Sequence, residues 1–169
     1  MTTLTDYVSM GAGFIGMVTG CLGYLRSAQV KLLDLRLELR KGLASAHHEL
    51  SLARGSIELG AESRRRVMAA TGHGRSGNMI AWDRGVETDT TTLNRIAPTI
   101  RSEEAEFTGL SDKQLESEIV AAHRTIEALS TLRKKYQETY KEDEERRREI
   151  RQEVADRTNQ MMAANRRDT

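Results

Sequence analysis

The chain has 169 residues, of which 38% are hydrophobic, 30% charged and only 4% aromatic, and its formal net charge is +1. This balance excludes a strongly basic nucleic-acid binder, and the single cysteine excludes a disulfide framework and a four-cysteine zinc site. Because one proline in the whole chain leaves almost no helix breaker, we predict an all-α protein.

A short tail at residues 1–6 precedes a run from Tyr7 to Leu25 that contains no charged residue. An apolar helix of that length crosses ~30 Å of hydrocarbon, so we predict a single membrane-inserted helix at residues 7–25. Its five glycines lower both hydrophobicity and helix propensity. Burial of the same segment in a protein assembly therefore stays open as an alternative.

Small residues recur every four positions within this run, at Ala12, Gly16 and Gly20, and so share one helix face. Such a stripe lets transmembrane helices approach closely, which predicts glycine-zipper packing and self-association. A glycine-rich run also produces this spacing by chance, so the packing role is one of two interpretations.

Basic residues follow the apolar run from Arg26 onward, and none precedes it. This asymmetry predicts an uncleaved, single-pass anchor with the C-terminal bulk in the cytoplasm. The segment from Val18 to Cys21 is similar to a bacterial lipobox, but the missing basic n-region and the continuing apolar run disfavour that interpretation.

Residues 26–59 are predicted to form an amphipathic helix that continues from the apolar run, with Gly60 as its C-cap. Its apolar stripe advances by three or four residues, as one helix face requires. The stripe consists of Leu32, Leu35, Leu39, Leu43, Ala46, Leu50, Ala53 and Ile57.

Residues 60–110 are predicted to form an irregular connector with a short helix at 62–70 and with Met79, Ile80 and Trp82 docking on the long helices. Three consecutive arginines, Arg64, Arg65 and Arg66, allow two hypotheses. They contact lipid headgroups or phosphates, or they form an ordinary solvated face. The glycine-rich sequence at residues 72–77 matches a dinucleotide-binding motif but follows no predicted strand. This context favours a hinge over a nucleotide site.

The final predicted element is a long helix at residues 111–165, followed by a disordered tail at 166–169. Ser111 and Gln114 form a capping-box pattern at its start. A heptad register then continues to Met161, which predicts a coiled coil or helical hairpin. The predicted coiled-coil contacts are Leu115, Ile119, Ala122, Ile126, Leu129 and Tyr136. We expect this first half to pack on a partner helix and the more charged second half to project.

No residue pattern indicates catalysis. The four histidines lack the spacing of zinc ligands, and no pocket-forming arrangement of nucleophile and base follows from a helical rod. We therefore predict a non-enzymatic protein with no cofactor, no metal, no small-molecule substrate and no specific nucleic acid.

A short apolar helix followed by a charged helical stalk resembles the layout of single-pass coiled-coil anchors. The glycine-rich apolar start is also similar to that of some phage ejection proteins and fungal membrane-disrupting death domains. The sequence thus favours a membrane-anchored scaffold or tether for a helical partner or homo-oligomer. The alternatives are a membrane-active protein that assembles into a pore or conduit and, more weakly, a soluble helical subunit of a larger complex.

Overall fold

The computed structural model describes the backbone of residues 4–165 and the side chains of residues 26–163 except residue 28. Three helices dominate: α1 (Leu4–Ala70), α2 (Gly77–Ile96) and α3 (Asp112–Asn165), with a short 3₁₀ turn at Ala97–Thr99. Residues 4–165 contain no strand. The all-α prediction is confirmed, whereas the disordered tail predicted at 166–169 lies outside the described residues.

The backbone of α1 includes residues 7–25, but their side chains lie outside the described residues. The packing predicted for Ala12, Gly16 and Gly20 falls in that segment and therefore remains a prediction. Within the part of the chain that the structure describes, no helix contains a stretch both long and apolar enough to span a bilayer.

Helix α1 does not end at Gly60, and the predicted C-cap there is wrong. Gly60 is buried, and a Cβ at this position would lie 2.9 Å from Cδ1 of Tyr136, so the glycine allows α3 to approach closely. The helix ends instead near Gly72, whose φ of 77° is the left-handed conformation that glycine adopts easily. The amide of His73 donates to the carbonyl of Met68 at 2.8 Å, which completes a Schellman-type cap.

Helix α2 occupies much of the segment that we predicted to be an irregular connector. Ser76 caps its start by accepting a hydrogen bond from the Met79 amide at 3.3 Å. The threonine-rich stretch is helical, and each threonine hydroxyl there is satisfied by donating to the carbonyl four residues earlier, as Thr90 does to Val86 at 2.8 Å. These bonds are made by Thr88, Thr90, Thr91 and Thr92.

Two of the three predicted docking residues of this segment contact the long helices. Met79 is buried, and Trp82 packs against the core cluster that contains Tyr136. Ile80 is 52% exposed, so its predicted docking is wrong. It lies one residue after Met79, about 100° around the helix, and therefore points away from the bundle.

The two long helices run parallel to each other, because α2 carries the chain back before α3 begins. Cross-helix contacts rise together along both helices: Lys31 meets Glu116, Glu49 meets Arg133, and Arg64 meets Glu142. A hairpin between the long helices, as predicted, would have made them antiparallel. The length of the middle segment, which is enough for one full return helix, decides the direction.

The core consists of two apolar clusters along the α1–α3 interface. One holds Leu39, Leu43, Phe107, Leu115 and Ala122. The other holds Ala53, Ile57, Leu93, Leu129 and Tyr136. Phe107 comes from the loop before α3, which explains why this loop follows the bundle surface rather than extending away.

At the start of α3 the Gln114 side chain reaches back to Ser111, which is one half of the predicted capping box. The Ser111 amide donates to Oε1 of Gln114 at 2.9 Å, and the Ser111 hydroxyl lies 3.0 Å from the same oxygen. These bonds satisfy polar groups that the first helical turn leaves unpaired. The prediction of a helix beginning here is confirmed.

The bundle has staggered ends. Lys31 of α1 lies level with Asp112 at the start of α3, so α1 extends beyond α3 at one end. At the other end Ser63 lies beside Arg147, and α1 stops at Ala70. Residues 151–163 of α3 are all exposed, whereas Asp143 and Arg147, in the half that we expected to project, pack on α1.

Candidate interaction surface and buried polar cluster

The predicted coiled-coil contacts of α3 lie against α1 and α2 of the same chain. Leu115 and Leu129 are fully buried and Tyr136 is 1% exposed. Ile119 and Ile126 are half-buried. This part of the heptad face is therefore occupied inside the bundle, and a partner helix does not have open access to it.

Three charged residues at heptad positions of α3, Arg133, Asp143 and Arg147, pair with groups on α1. Arg133 donates to Glu49 at 2.9 Å, and Arg147 donates to Oγ of Ser63 at 2.7 Å. These pairs form only when the parallel helices adopt one register. Sequence patterning predicted that this more charged half would project, because it did not reveal which α1 residues would lie opposite.

Asp143 is the most buried charged side chain described, with 1% exposure. Its Oδ1 lies 3.1 Å from Nε of Arg64, while its Oδ2 has no hydrogen-bond partner. Burial raises the pKa of Asp143, and Arg64, Ser63 and Arg147 oppose that rise. Buried charge pairs contribute little net stability, but a wrong register that separated them would be costly. The cluster thus favours one alignment of α1 on α3.

An aromatic group adjoins this cluster and joins all three helices. The guanidinium of Arg64 lies 5.4 Å from the Trp82 ring centroid, and Trp82 packs edge-on against Tyr136 with centroids 5.7 Å apart. The Tyr136 hydroxyl donates to Asp89 of α2 at 2.8 Å, and Lys135 lies 2.6 Å from the same carboxylate. Burial and the hydrogen bond to Asp89 raise the pKa of Tyr136.

The three consecutive arginines of α1 point to different neighbours. Arg64 pairs with Glu142 and Asp143, Arg65 donates to Asp83 of α2, and Arg66 pairs with Glu62. Successive residues of a helix point about 100° apart, which explains the separation. The structure does not bring Arg64, Arg65 and Arg66 together as one anion-binding group, and contact with lipid or phosphate remains a prediction.

A cavity of about 460 Å³ opens where α1 ends beside α3. Its lining carries both signs of charge and consists of Arg64, Val67, Met68, Thr71, His73, Glu142, Asp143 and Arg146. Residues 26–163 hold no group of three histidine, cysteine, aspartate or glutamate side chains placed to bind a metal ion.

Two surfaces of the described chain expose large apolar side chains at the staggered ends. On α1, Val30, Leu33 and Leu37 are each more than half exposed, opposite the face that packs on α3. On α3, Val154 and Met161 are 58% and 71% exposed. Sequence patterning included Val154 and Met161 in the heptads but did not single out the outer face of α1, which shares the helix with the packed stripe.

No protein-family model, curated protein or solved structure matches the chain.

Proposed function

We propose that the chain is a non-enzymatic helical stalk that is anchored in a membrane by residues 7–25 and acts as a scaffold or tether. The observation that carries the proposal is the continuity of α1. The helix runs from Leu4 to Ala70 without interruption, so the uncharged run and the bundle belong to one rod. In this arrangement the anchor and the stalk move together.

The surface next to the uncharged run supports an apolar environment at this end. Leu32 and Leu35 pack against the core, while Val30, Leu33 and Leu37 on the opposite face are open. A helix that is apolar on both faces is typically covered on both, by protein or by lipid. A membrane surface at this end would cover the outer face of α1.

The interior of the bundle supports a spacer role. Its α1–α3 interface is filled by the chain's own residues, and the Asp143 cluster favours one register. Such a stalk holds its two ends apart at a fixed distance. We propose the orientation that the charge asymmetry predicts, with the bundle and its C-terminal end in the cytoplasm.

Flotation with liposomes tests the anchor. The full chain should float with the vesicles and resist carbonate extraction, and Phe14→Lys with Ile15→Lys should leave it in the soluble fraction because two charges enter the apolar run. The control Thr88→Lys with Thr91→Lys places the same charges on exposed positions of α2 and should float normally. A chain that never floats would support the soluble-subunit alternative instead.

Dye release from the same liposomes separates an anchor from a pore. An anchor should leave the dye inside at protein densities that saturate flotation. Leakage that disappears in Gly16→Leu or Gly20→Leu would favour assembly of the glycine-rich helices into a conduit. Those substitutions should not change flotation, because leucine increases the apolarity of the run.

A further inference from the structure

The C-terminal part of α3 projects beyond the end of α1. We call residues 148–163 the α3 tail. It is about 24 Å long if measured along a helix axis. Val154, Met161 and Met162 are exposed by 58%, 71% and 56%, and most of the other tail residues are polar or charged. The tail is therefore an amphipathic helix with no partner in the bundle.

The apolar side of the tail continues the face that packs on α1. Steps of four and three lead from the buried Leu129 and Tyr136 through Asp143 and Arg147 to Ile150, Val154, Arg157 and Met161. Ile150 is still half-buried beside the end of the bundle. Val154 and Met161 are not covered by α1, because α1 ends at Ala70. If the register continued, residues after Ala70 would lie opposite them. The open surface is thus an extension of the internal interface.

We propose that the α3 tail binds the tail of a second copy of this chain in antiparallel orientation, so that each tail takes the place that α1 occupies lower in the bundle. The contact is a two-fold one, in which every interaction occurs twice. The association itself does not depend on the membrane anchor proposed above.

The charges of the tail select the antiparallel orientation. With the two-fold axis between Val154 and Arg157, Ile150 faces Met161 of the second copy and Val154 faces its Arg157. Glu153 precedes Val154 by one residue and therefore lies next to the second copy's Arg157. Opposite charges therefore meet twice at the centre. In a parallel pair Arg157 would face Arg157 of the second copy. Arg146 would also lie next to the second copy's Arg151, because parallel helices bring these flanking positions together.

The two charges that meet are available for this contact. The neighbouring ion pairs of α3 join Arg146 to Glu149 and Arg147 to Glu144. Among the described residues, Glu153 and Arg157 have no ion pair. Their pairing across the two-fold axis would leave the existing pairs unchanged.

The length of the tail also fits this arrangement. The antiparallel register places Ala163 level with Arg148 of the second copy, and α1 ends near this level, where Thr71 lines the same cavity as Arg146. The two bundles then abut without overlapping. Two short helices bury less than ~1,200 Å², the range of weak interfaces, so we expect a dimer that forms in a concentration-dependent way.

A dimer joined at the tails directs the two α1 N-termini away from each other. Counting helical rise from the two-fold axis to Arg26 in each copy gives a separation of roughly 150 Å. If the N-terminal run is the membrane anchor, which is the function proposed above, the dimer can bridge two membranes. The dimer without that anchor would still form.

Sedimentation equilibrium of the full chain in detergent tests the association. The average mass should rise from monomer to dimer with concentration, and Val154→Lys with Met161→Lys should abolish the rise by placing four charges in the contact. The control Leu52→Lys with Val120→Lys changes two exposed residues outside the tail and should leave dimerisation unchanged. A chain that stays monomeric, or a tail variant that dimerises normally, would overturn the proposal.

Charge reversal tests the antiparallel pairing. Arg157→Glu should lower self-association at least tenfold, because each copy then presents two acids, and Glu153→Arg should do the same with two bases. An equimolar mixture of the two variants should dimerise again, since each acid of one copy meets a base of the other. Absence of recovery in the mixture would contradict the register.

Distance measurement tests the orientation directly. A fluorophore on Thr131→Cys, in a chain that also carries Cys21→Ser, should lie about 70 Å from its counterpart in the antiparallel dimer, estimated from helical rise. A parallel dimer would hold the two labels within about 30 Å. Strong energy transfer between donor- and acceptor-labelled copies would therefore refute the antiparallel contact.

Discussion

Replacing Gly60 by alanine should destabilise the bundle, although alanine is the better helix former. Gly60 lies inside α1, where exchange of glycine for alanine favours the helix by about 1 kcal/mol. The added Cβ, however, would lie 2.9 Å from Cδ1 and 3.2 Å from both Cβ and the backbone oxygen of Tyr136. The outcome depends on which of these two effects is larger.

Tyr136 has little freedom to move away from the new methyl group. Its hydroxyl is bonded to Asp89, its ring packs against Trp82, and two of the three closest atoms belong to the main chain or to Cβ of α3. Overpacking of this kind costs about 1–3 kcal/mol. The gain in helix propensity offsets part of this cost. We therefore expect Gly60→Ala to lower the free energy of unfolding by about 1 kcal/mol.

Gly55 provides the matched control in the same helix. A Cβ at Gly55 meets no atom within 4 Å, so Gly55→Ala should keep the whole propensity gain of about 1 kcal/mol. For a chain of this length, a change of 1 kcal/mol moves Tm by about 2–4 °C. The two variants should therefore shift Tm in opposite directions.

Thermal unfolding of the full chain measures both effects. Circular dichroism at 222 nm follows the helices, and fluorescence follows Trp82, which lies beside the altered contact and is the chain's only tryptophan. If Gly60→Ala raised Tm as much as Gly55→Ala, the close approach of α1 and α3 at Tyr136 would be refuted.

Three further predictions concern the polar contacts. Arg64→Met should cost about 3–5 kcal/mol near neutral pH by leaving Asp143 buried without its partner, and adding Asp143→Asn should restore most of that loss in denaturant titrations. Burial raises the pKa of Asp143, so the charged form is disfavoured in the fold. The free energy of unfolding of Arg64→Met should therefore increase as pH falls through that raised pKa, and a flat pH profile would contradict this. Tyr136→Phe should lose about 1 kcal/mol with the bond to Asp89, and absorbance at 295 nm should show that the parent chain has a tyrosine with a raised pKa, which the variant lacks. Because the pKa of Tyr136 is raised in the fold, the associated stability is present below the ordinary tyrosine pKa and is lost as pH rises through the raised one. Ser76→Ala should lower the free energy of unfolding by about 1 kcal/mol, because it removes the N-cap of α2. Amide hydrogen exchange at Met79 should become faster, and unchanged exchange there would contradict the cap.

The helices themselves could be predicted from local patterns. The Ser111 capping box and the following heptads identified the start of α3, and the three-and-four spacing of leucines identified the packed face of α1. These features depend on residues close together in the chain. α2 was missed because threonine and glycine have low intrinsic helix propensity, which is offset by the burial of Met79 and Leu93 and by the packing of Trp82 against the core.

Local patterns could not predict which surfaces meet. The burial and pairing of Arg133, Asp143 and Arg147 could not be predicted, because the groups that pair with them lie about eighty residues earlier in the chain. Gly60 was predicted to end the helix, because glycine often follows a helix C-terminus. Its actual role is to leave room for Tyr136, which belongs to another helix and cannot be inferred from neighbouring residues. The predicted partner-binding contacts at Leu115 and Leu129 likewise face the chain's own α1.

Composition and periodicity alone therefore determined that this chain is helical, where its last helix begins and which faces are apolar. The tertiary structure decided that α1 and α3 run parallel, that their interface is filled internally, and that one α3 segment around Val154 and Met161 remains open. The physical reason is that hydrogen bonding and amphipathic spacing are local properties of a helix. The direction of packing and the cover of each face depend on contacts between residues far apart in sequence.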